Sequence, residues 1–280
     1  MSSTSGITHV SDTALLVAAA RALESDDPAG FANDPYAARL AGERGMAIFR
    51  QHPNGERMRC GLAVRTRFID ELVVEAVASE QVATVVNLGA GLDTRPWRRD
   101  LPEDLRWIEV DFADMLDFKD ARMSDQTPRC RRDRLAADLT DASQRHAVYR
   151  AIGPAPALMI TEGLLMYLPS AVVDALASEP WRASGVAHWV ADVVTTAFIT
   201  TVGMEPPASI QNVRAPDSVS GEGVLEAARR HGWNTKSRRS YVTDIGFAME
   251  RLVRLMGARA TQLPPEARED RSGIHRFGRR

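Results

Sequence analysis

Residues 82–95 of this chain read Val-Ala-Thr-Val-Val-Asn-Leu-Gly-Ala-Gly-Leu-Asp-Thr-Arg, and residues 107–111 read Trp-Ile-Glu-Val-Asp. The β-branched run predicts a buried strand that stops at a turn built on Gly89 and Gly91. A second short strand then ends on Asp111, twenty residues after Gly91. The glycines allow a close approach of a ligand, and the acid can accept both hydroxyls of a ribose. The stretch therefore predicts the first half of a nucleotide-binding βαβ unit.

The turn favours an adenosyl ligand that has no pyrophosphate. A dinucleotide fingerprint places a third glycine three positions after the second, but here that position is Thr94, preceded by Asp93. A carboxylate at this place would repel a pyrophosphate. S-adenosylmethionine (SAM) carries a sulfonium cation and an amino acid group, so nearby acids are compatible with it. We therefore expect nucleotide or SAM binding, with an ordinary strand-to-helix turn as the alternative.

The composition favours one large α/β domain with additions in a reducing, cytoplasmic compartment. A chain of 280 residues can bury a substantial core. The formal net charge of −2 offers no general attraction to nucleic acid or anionic lipid, so we expect neither as a partner. Cys60 and Cys130 form neither a disulfide framework nor a metal site, and no metal is expected. We also expect no membrane span and no signal peptide, since no apolar run has the length or flanks of either.

Patterns of helices and strands divide the chain into three parts. Residues 1–80 have helical spacing and predict a helical cap over the open end of a sheet. Residues 81–256 alternate strands and helices, which predicts a doubly wound, mostly parallel, Rossmann-like sheet. Within them, residues 195–218 lack periodicity and predict a lid or substrate-binding insertion. Residues 257–280 are polar and arginine-rich, which predicts a flexible tail.

Ligands of such sheets bind beyond the carboxyl ends of the strands. The residues predicted at those ends are Gly89–Gly91, Asp111, Asp138–Leu139, Glu162 and Asp192. Glu162 interrupts an apolar stretch, and a buried acid needs a partner. Asp138 has the alternative role of a turn residue at a strand end.

Five segments together resemble the leucine carboxyl methyltransferase family, which includes bacterial polyketide O-methyltransferases of the tetracenomycin type. They are Arg-Thr-Arg-Phe-Ile-Asp at 65–70, Asn-Leu-Gly-Ala-Gly-Leu-Asp-Thr-Arg at 87–95, Glu109–Asp111, Asp138–Leu139, and Thr-Glu-Gly-Leu-Leu-Met-Tyr-Leu at 161–168. The resemblance covers residues 10 to 194. It implies a class I methyltransferase fold. It also implies SAM-dependent O-methylation of a carboxylate, or a hydroxyl, on a small molecule or peptide in bacterial secondary metabolism.

The resemblance also implies roles for individual residues around the methionine and ribose parts of SAM. Arg65 would pair with the methionine carboxylate, and Glu162 would face the same amino acid end. Gly89, Ala90 and Gly91 would let the backbone approach the methionyl and ribose parts. Asp111 would hold the ribose hydroxyls. Arg67 lies two residues from Arg65 on a predicted helix, so at most one of the two points into the site.

The adenine and acceptor ends are implied in the same way. Asp138 would accept the adenine amino group, and Leu139 would line the adenine slot. Tyr167 would border the acceptor pocket. The family's eukaryotic members have an N-terminal lysine with no convincing match here, which puts a peptide acceptor in doubt more than SAM binding.

The sequence assigns no catalytic residue. A carboxylate acceptor is already ionised at neutral pH and needs no base, whereas a phenol or alcohol must lose a proton. The candidates for catalysis are Tyr167, His188 and Asp192. Arg95 could steer an anionic acceptor, with a structural ion pair as the alternative.

Two other functions stay open. The first is a nicotinamide-dependent oxidoreductase, which is disfavoured by Thr94 at the third glycine position and by the absence of a Tyr-x-x-x-Lys pair. The second is a catalytically inactive SAM-binding protein that has lost its acceptor pocket.

Overall fold

One mixed sheet organises the computed structural model, which describes residues 10–203, 211–257 and 269–279. Its strands, in chain order, are β1 (Thr84–Leu88), β2 (Arg106–Asp111), β3 (Arg131–Ala136), β4 (Ala157–Thr161), β5 (Val186–Val193), β6 (Asn234–Ser240) and β7 (Gly273–Gly278). They lie side by side in the order β3-β2-β1-β4-β5-β7-β6. The pairs among β1 to β5 are parallel, and β7 runs antiparallel to both of its neighbours. The predicted mostly parallel sheet is confirmed.

Helices cover both faces of the sheet. In chain order the α-helices are α1 (Val10–Ser25), α2 (Ala37–Gln51), α3 (Gly55–Ser79), α4 (Arg95–Arg98), α5 (Ala113–Met123), α6 (Ala142–Ile152), α7 (Ser170–Ser178), α8 (Pro180–Ala183), α9 (Thr196–Val202), α10 (Gly221–Arg230) and α11 (Met249–Met256). Short 3-10 helices lie at Leu165–Tyr167 and Gly246–Ala248. No helix in these ranges is both long and apolar enough to cross a membrane.

Neighbouring residues of β1 face opposite cores, as the period of a strand requires. Val86 lies in a core with residues of α6, α7 and α10. Val85 lies in a second core, with Phe68 and Leu72 of α3. All five residues of β1 are buried, which explains its continuous apolar run.

The first three helices are not all parts of a cap. Helix α1 lies over the carboxyl ends of the strands, where Ala14 and Val17 line a cavity that also includes Gly89 and Asp111. Helix α3 instead packs against one face of the sheet through a stripe that includes Phe68, Ile69 and Leu72. The prediction of a helical cap over 1–80 is therefore wrong for α3, which is a layer of the sheet domain.

The predicted flexible tail over 257–280 is wrong for Gly273–Gly278. These residues form β7, which is buried along its whole length between β5 and β6. The positive charge of Arg276 in this strand is compensated by Glu80, because Arg276 Nη1 lies 2.6 Å from Glu80 Oε1. The polar composition of the surrounding segment therefore did not exclude burial of this strand. Residues 258–268 of the predicted tail lie outside the described residues.

The predicted insertion at 195–218 is described only in part. Thr196–Val202 form α9, and residues 204–210 lie outside the described residues. Thr195 caps α9, since its side chain accepts a hydrogen bond from Phe198 N. The role of this segment as a lid or substrate-binding insertion stays a prediction.

Candidate cofactor site and its neighbouring cavity

The glycine turn after β1 has the geometry that only glycine adopts readily. Gly89 and Gly91 have φ angles of 66° and 44°. A Cβ at Gly89 would lie 2.9 Å from Leu164 Cδ1. The backbone N–H of Gly91 donates to Asp111 Oδ2 at 2.7 Å, which joins the turn to the end of β2.

The site residues predicted for a cofactor lie together in one cavity of about 310 Å³. They are Arg65, Gly89, Ala90, Gly91, Asp111, Asp138, Leu139 and Glu162, and Tyr167 lines the same cavity. They come from α3 and from the carboxyl ends of β1, β2, β3 and β4. The structure thus brings the predicted set together, while the role of each residue toward a ligand stays a prediction.

Asp111 and Asp138 both face this cavity from strand ends. Asp111 Oδ1 accepts a hydrogen bond from Phe112 N at 2.8 Å, and burial raises the pKa of its carboxyl group. Asp138 Oδ1 accepts from the backbone N–H and the hydroxyl of Thr140, at 2.8 and 2.7 Å. Asp138 is therefore both a turn residue and a pocket residue, so its two predicted roles are compatible.

Glu162 bridges two guanidinium groups at the floor of the cavity. Its Oε1 lies 3.0 Å from Arg65 Nε, and its Oε2 lies 2.8 Å from Arg95 Nη1. Burial alone would raise the pKa of Glu162, but Arg95 and Arg65 outweigh it and lower the pKa to about 2. Arg67 lies outside this group and pairs with Glu71 at 3.0 Å, so only one of the two neighbouring arginines faces the site.

Arg95 forms buried ion pairs, which was the alternative to its predicted role in steering an anionic acceptor. Its side chain is 2% exposed and does not line the cavity. It lies 2.7 Å from Asp70 Oδ1 and 2.9 Å from Asp93 Oδ2, in addition to its contact with Glu162. Carboxylates from three parts of the chain thus enclose this one cation. Arg95 is a positioning residue that fixes Glu162.

Of the three residues predicted as candidates for catalysis, His188 lies away from the cavity, so that prediction is wrong. It lies near the amino end of β5, with Nε2 3.9 Å from Glu80 Oε2, whereas the cavity lies at the carboxyl end of the sheet. Asp192 lies near the carboxyl end of β5, where Oδ1 accepts from Gly163 N at 3.0 Å and Oδ2 lies 3.5 Å from Arg65 Nη1. Tyr167 lines the cavity, and burial raises the pKa of its hydroxyl.

Arg21 and Asn87 line the cavity but were not predicted as site residues. Arg21 of α1 donates to Leu92 O at 2.7 Å and pairs with Asp34 at 2.9 Å. Asn87 Nδ2 donates to Asp93 Oδ2 at 2.8 Å, while its buried Oδ1 has no hydrogen-bond donor among the described residues. The signal for Asn87 was a polar residue inside the apolar run of β1. The sequence around Arg21 offers no comparable signal.

A second cavity, of about 280 Å³, adjoins the first. The two share the side chains of Arg65 and Met166. The lining of the second cavity is mostly apolar and comes from α3, the end of β5, α9, the segment after β6 and α11. Asp192 and Tyr241 are polar groups in this lining.

The chain is similar to a family of known sequences. It matches the model of the leucine carboxyl methyltransferase family over residues 14–179. A protein of Mycobacterium marinum, named "Putative S-adenosyl-L-methionine-dependent methyltransferase", is 37% identical over 186 residues, which are 60% of this chain and 61% of that protein. A similarly named protein of Mycolicibacterium smegmatis is 30% identical over 284 residues, which are 93% of this chain and 90% of that protein.

Solved structures agree with the fold. A DUF574 family protein from Streptomyces avermitilis has a TM-score of 0.58 at 12% identity, covering 96% of this chain and 97% of that one. A "putative methyltransferase" from Thermobifida fusca has a TM-score of 0.55 at 16% identity, covering 99% and 96%. The predicted Rossmann-like class I methyltransferase fold is confirmed. With a family match over more than half of its length, the chain belongs to the leucine carboxyl methyltransferase family.

Proposed function

We propose that this chain is a SAM-dependent O-methyltransferase whose acceptor is a carboxylate or a hydroxyl of a small molecule or peptide. The observation that carries the proposal is the single cavity that collects the glycine turn, Asp111, Asp138, Glu162 and Arg65. Family membership and the printed names of the relatives support it. A place in bacterial secondary metabolism stays a prediction.

The residues present fit the adenosyl half of SAM. Gly89 has a positive φ, and a Cβ at this position would lie too close to Leu164. Glycine therefore allows the tight turn that brings the backbone near a ligand. The Asp111 carboxylate keeps further lone pairs for a ribose diol after it accepts from Gly91 and Phe112. Leu139 is buried and apolar beside Asp138, as a slot for an adenine ring requires.

The residues also fit the amino acid half, which carries one cation and one anion. Arg65 and Glu162 form an ion pair at the cavity floor, so both signs are available to a zwitterion. The low pKa of Glu162 keeps its carboxylate ionised at neutral pH. The Oδ1 of Asn87, which accepts no hydrogen bond from the described residues, is a further acceptor beside the cavity.

Methyl transfer depends mainly on positioning and on exclusion of water. SAM, when bound, supplies an activated methyl group. Glu162 and Arg65 would orient the amino acid end, and α1 would keep water away through Ala14 and Val17. Arg95 would act indirectly, because it holds the Glu162 carboxylate in place.

Thermal unfolding with and without ligand tests this proposal. S-adenosylhomocysteine (SAH) should raise the Tm of the wild-type protein, because a ligand that binds only the folded state stabilises it. Arg65→Met should abolish the shift. Arg67→Met is the matched control, since that arginine pairs with Glu71 outside the cavity. A Tm shift with NADH instead of SAH would overturn the proposal in favour of an oxidoreductase. No shift with either ligand would also overturn it.

A further inference from the structure

Arg65 and Met166 separate two cavities of different chemistry. The first is lined by the glycine turn and by several acids, whereas the second is lined mainly by aliphatic and aromatic side chains. The ends of the second cavity come from parts of the chain as distant as α3 and α11. Because the two cavities share this wall, a molecule in the second cavity would lie beside the end of the first cavity that holds Arg65 and Glu162.

We propose that the second cavity is the acceptor site, and that it takes an apolar, ring-sized molecule whose hydroxyl group faces Asp192, the residue that accepts the hydroxyl proton. The proposal rests on the proposed function and narrows it to one acceptor class. It assigns to Asp192 a direct contact with the acceptor rather than with SAM.

The charges around Arg65 disfavour a carboxylate as the reacting group. Arg65 already faces two carboxylates, Glu162 at 3.0 Å and Asp192 at 3.5 Å. Under the proposed function Arg65 also pairs with the carboxylate of SAM, so it leaves no unpaired positive charge for a reacting carboxylate, which Asp192 would repel. Arg57, at the other end of the lining, lies eight residues earlier on α3. It is thus about 12 Å away along the helix, too far to hold the reacting group.

The geometry of Asp192 suits a proton acceptor. Gly163 N donates to its Oδ1, and its Oδ2 makes a long contact of 3.5 Å with Arg65 Nη1. Its other charged or titratable neighbours are Glu162, Tyr167 and Tyr241. Burial raises the pKa of Asp192 although Arg65 opposes this, which strengthens it as a base.

The transfer step balances with these groups alone. The hydroxyl oxygen forms a bond to the methyl carbon, and the carbon–sulfur bond of SAM breaks with its electron pair left on sulfur. The hydroxyl proton passes to Asp192 Oδ2 and then to water. The products are a methyl ether and SAH.

Two ligands of matched size test the site: 2-naphthol, with a hydroxyl, and 2-naphthoic acid, with a carboxylate. Each is titrated by calorimetry into the full chain saturated with SAH. We expect 2-naphthol to bind at least about tenfold more tightly than 2-naphthoate. Equal or tighter binding of the carboxylate would overturn the proposal. Failure of SAH to bind in the same protein would mark a failure of the proposed function instead.

Tryptophan substitutions test the location. Val194 and Val253 are similarly exposed, at 38% and 37%, but only Val194 lines the second cavity. Val194→Trp should weaken 2-naphthol binding by about tenfold or more, while Val253→Trp should leave it unchanged. Ile199→Trp, from α9, is a second lining variant in case Val194→Trp unfolds. Unchanged binding in a folded lining variant would overturn the location.

Asp192→Asn tests the proton acceptor. This variant should keep the affinities for SAH and 2-naphthol within about threefold but lose about a hundredfold or more in methyl transfer to 2-naphthol. Its residual rate should rise steadily with pH as 2-naphthol ionises in solution, a response that a structural role for Asp192 would not give. Transfer at the wild-type rate, or no transfer by the wild type despite tight binding, would overturn the assignment.

Discussion

The carboxylate of Asp111 accepts a hydrogen bond from the backbone N–H of Gly91, with Oδ2 2.7 Å from the nitrogen. The two residues are twenty apart in the sequence, yet they join the turn after β1 to the end of β2. Because Phe112 N holds the other oxygen at 2.8 Å, the carboxylate is oriented before any ligand binds. A preorganised acceptor loses less conformational entropy on binding, which would favour the proposed contact with a ribose.

Glu162→Gln should destabilise the protein at neutral pH. The substitution removes the charge that compensates Arg65 and Arg95, which are both largely buried. The pKa of Glu162 falls from 4.5 to about 2 on folding, and this shift corresponds to about 3 kcal/mol of stability at neutral pH. Urea unfolding of wild type and variant measures the difference.

The effect of Glu162→Gln should depend on pH in one direction. Because the folded-state pKa is the lower one, the unfolded state binds the extra proton between about pH 4.5 and pH 2. The stabilisation by Glu162 is thus complete above that window and is lost as the pH falls through it. The difference between wild type and variant should be about half as large near pH 3 as at pH 7. A difference that stays constant would contradict the assigned pKa.

Two buried aspartates should differ in how the same substitution changes the free energy of unfolding. Asp70 lies 2.7 Å from Arg95 Nε and 2.8 Å from Arg98 Nη2, and these arginines lower its pKa against the effect of burial. Asp70→Asn should therefore cost about 3–5 kcal/mol. At Asp192 the effect of burial is the larger one and raises the pKa, so ionisation of this carboxyl group destabilises the folded state at neutral pH.

Asp192→Asn should accordingly leave the free energy of unfolding within about 1 kcal/mol of wild type, or raise it. Urea unfolding of the two variants side by side at neutral pH measures both effects. A loss for Asp192→Asn as large as that for Asp70→Asn would mean that its contact with Arg65 outweighs the cost of burial.

Phe277→Ala should destabilise the protein strongly, although the residue lies near the chain's end. Phe277 is 2% exposed on β7 and packs against Trp189, with ring centroids 5.2 Å apart. Removal of a buried aromatic ring costs about 3–5 kcal/mol. Val253→Ala, at a position 37% exposed, should stay within about 0.5 kcal/mol of wild type. Thermal unfolding compares the two, and equal Tm values would show that β7 contributes little to stability.

The sequence predicted the parts of the fold and the site that depend on local pattern. The apolar run of β1, the glycine turn and the acid at the end of β2 lie within thirty residues, so their spacing was sufficient. Asp138 and Glu162 followed from the rule that ligands meet the carboxyl ends of parallel strands.

Convergence of distant segments could not be predicted in this way. Arg95 follows the glycine turn directly, but its enclosure by Asp70 and Glu162 depends on how α3 packs on the sheet. The burial of β7 depends on pairing with β5 and β6, whereas the segment around it, residues 257–280, is polar and arginine-rich. The second cavity combines α3 and α11, and no local pattern relates them.

Calorimetric titration of the wild type and of Asp111→Ala with SAM and SAH tests the central claim most directly, with NADH as a comparison ligand. Asp117→Ala is the matched control, because that acid pairs with Arg134 on the exposed side of α5. We predict binding of SAM and SAH to the wild type and to the control, weakened by about tenfold or more in Asp111→Ala, and no binding of NADH. SAM affinity that Asp111→Ala leaves unchanged, or binding of NADH alone, would contradict the account.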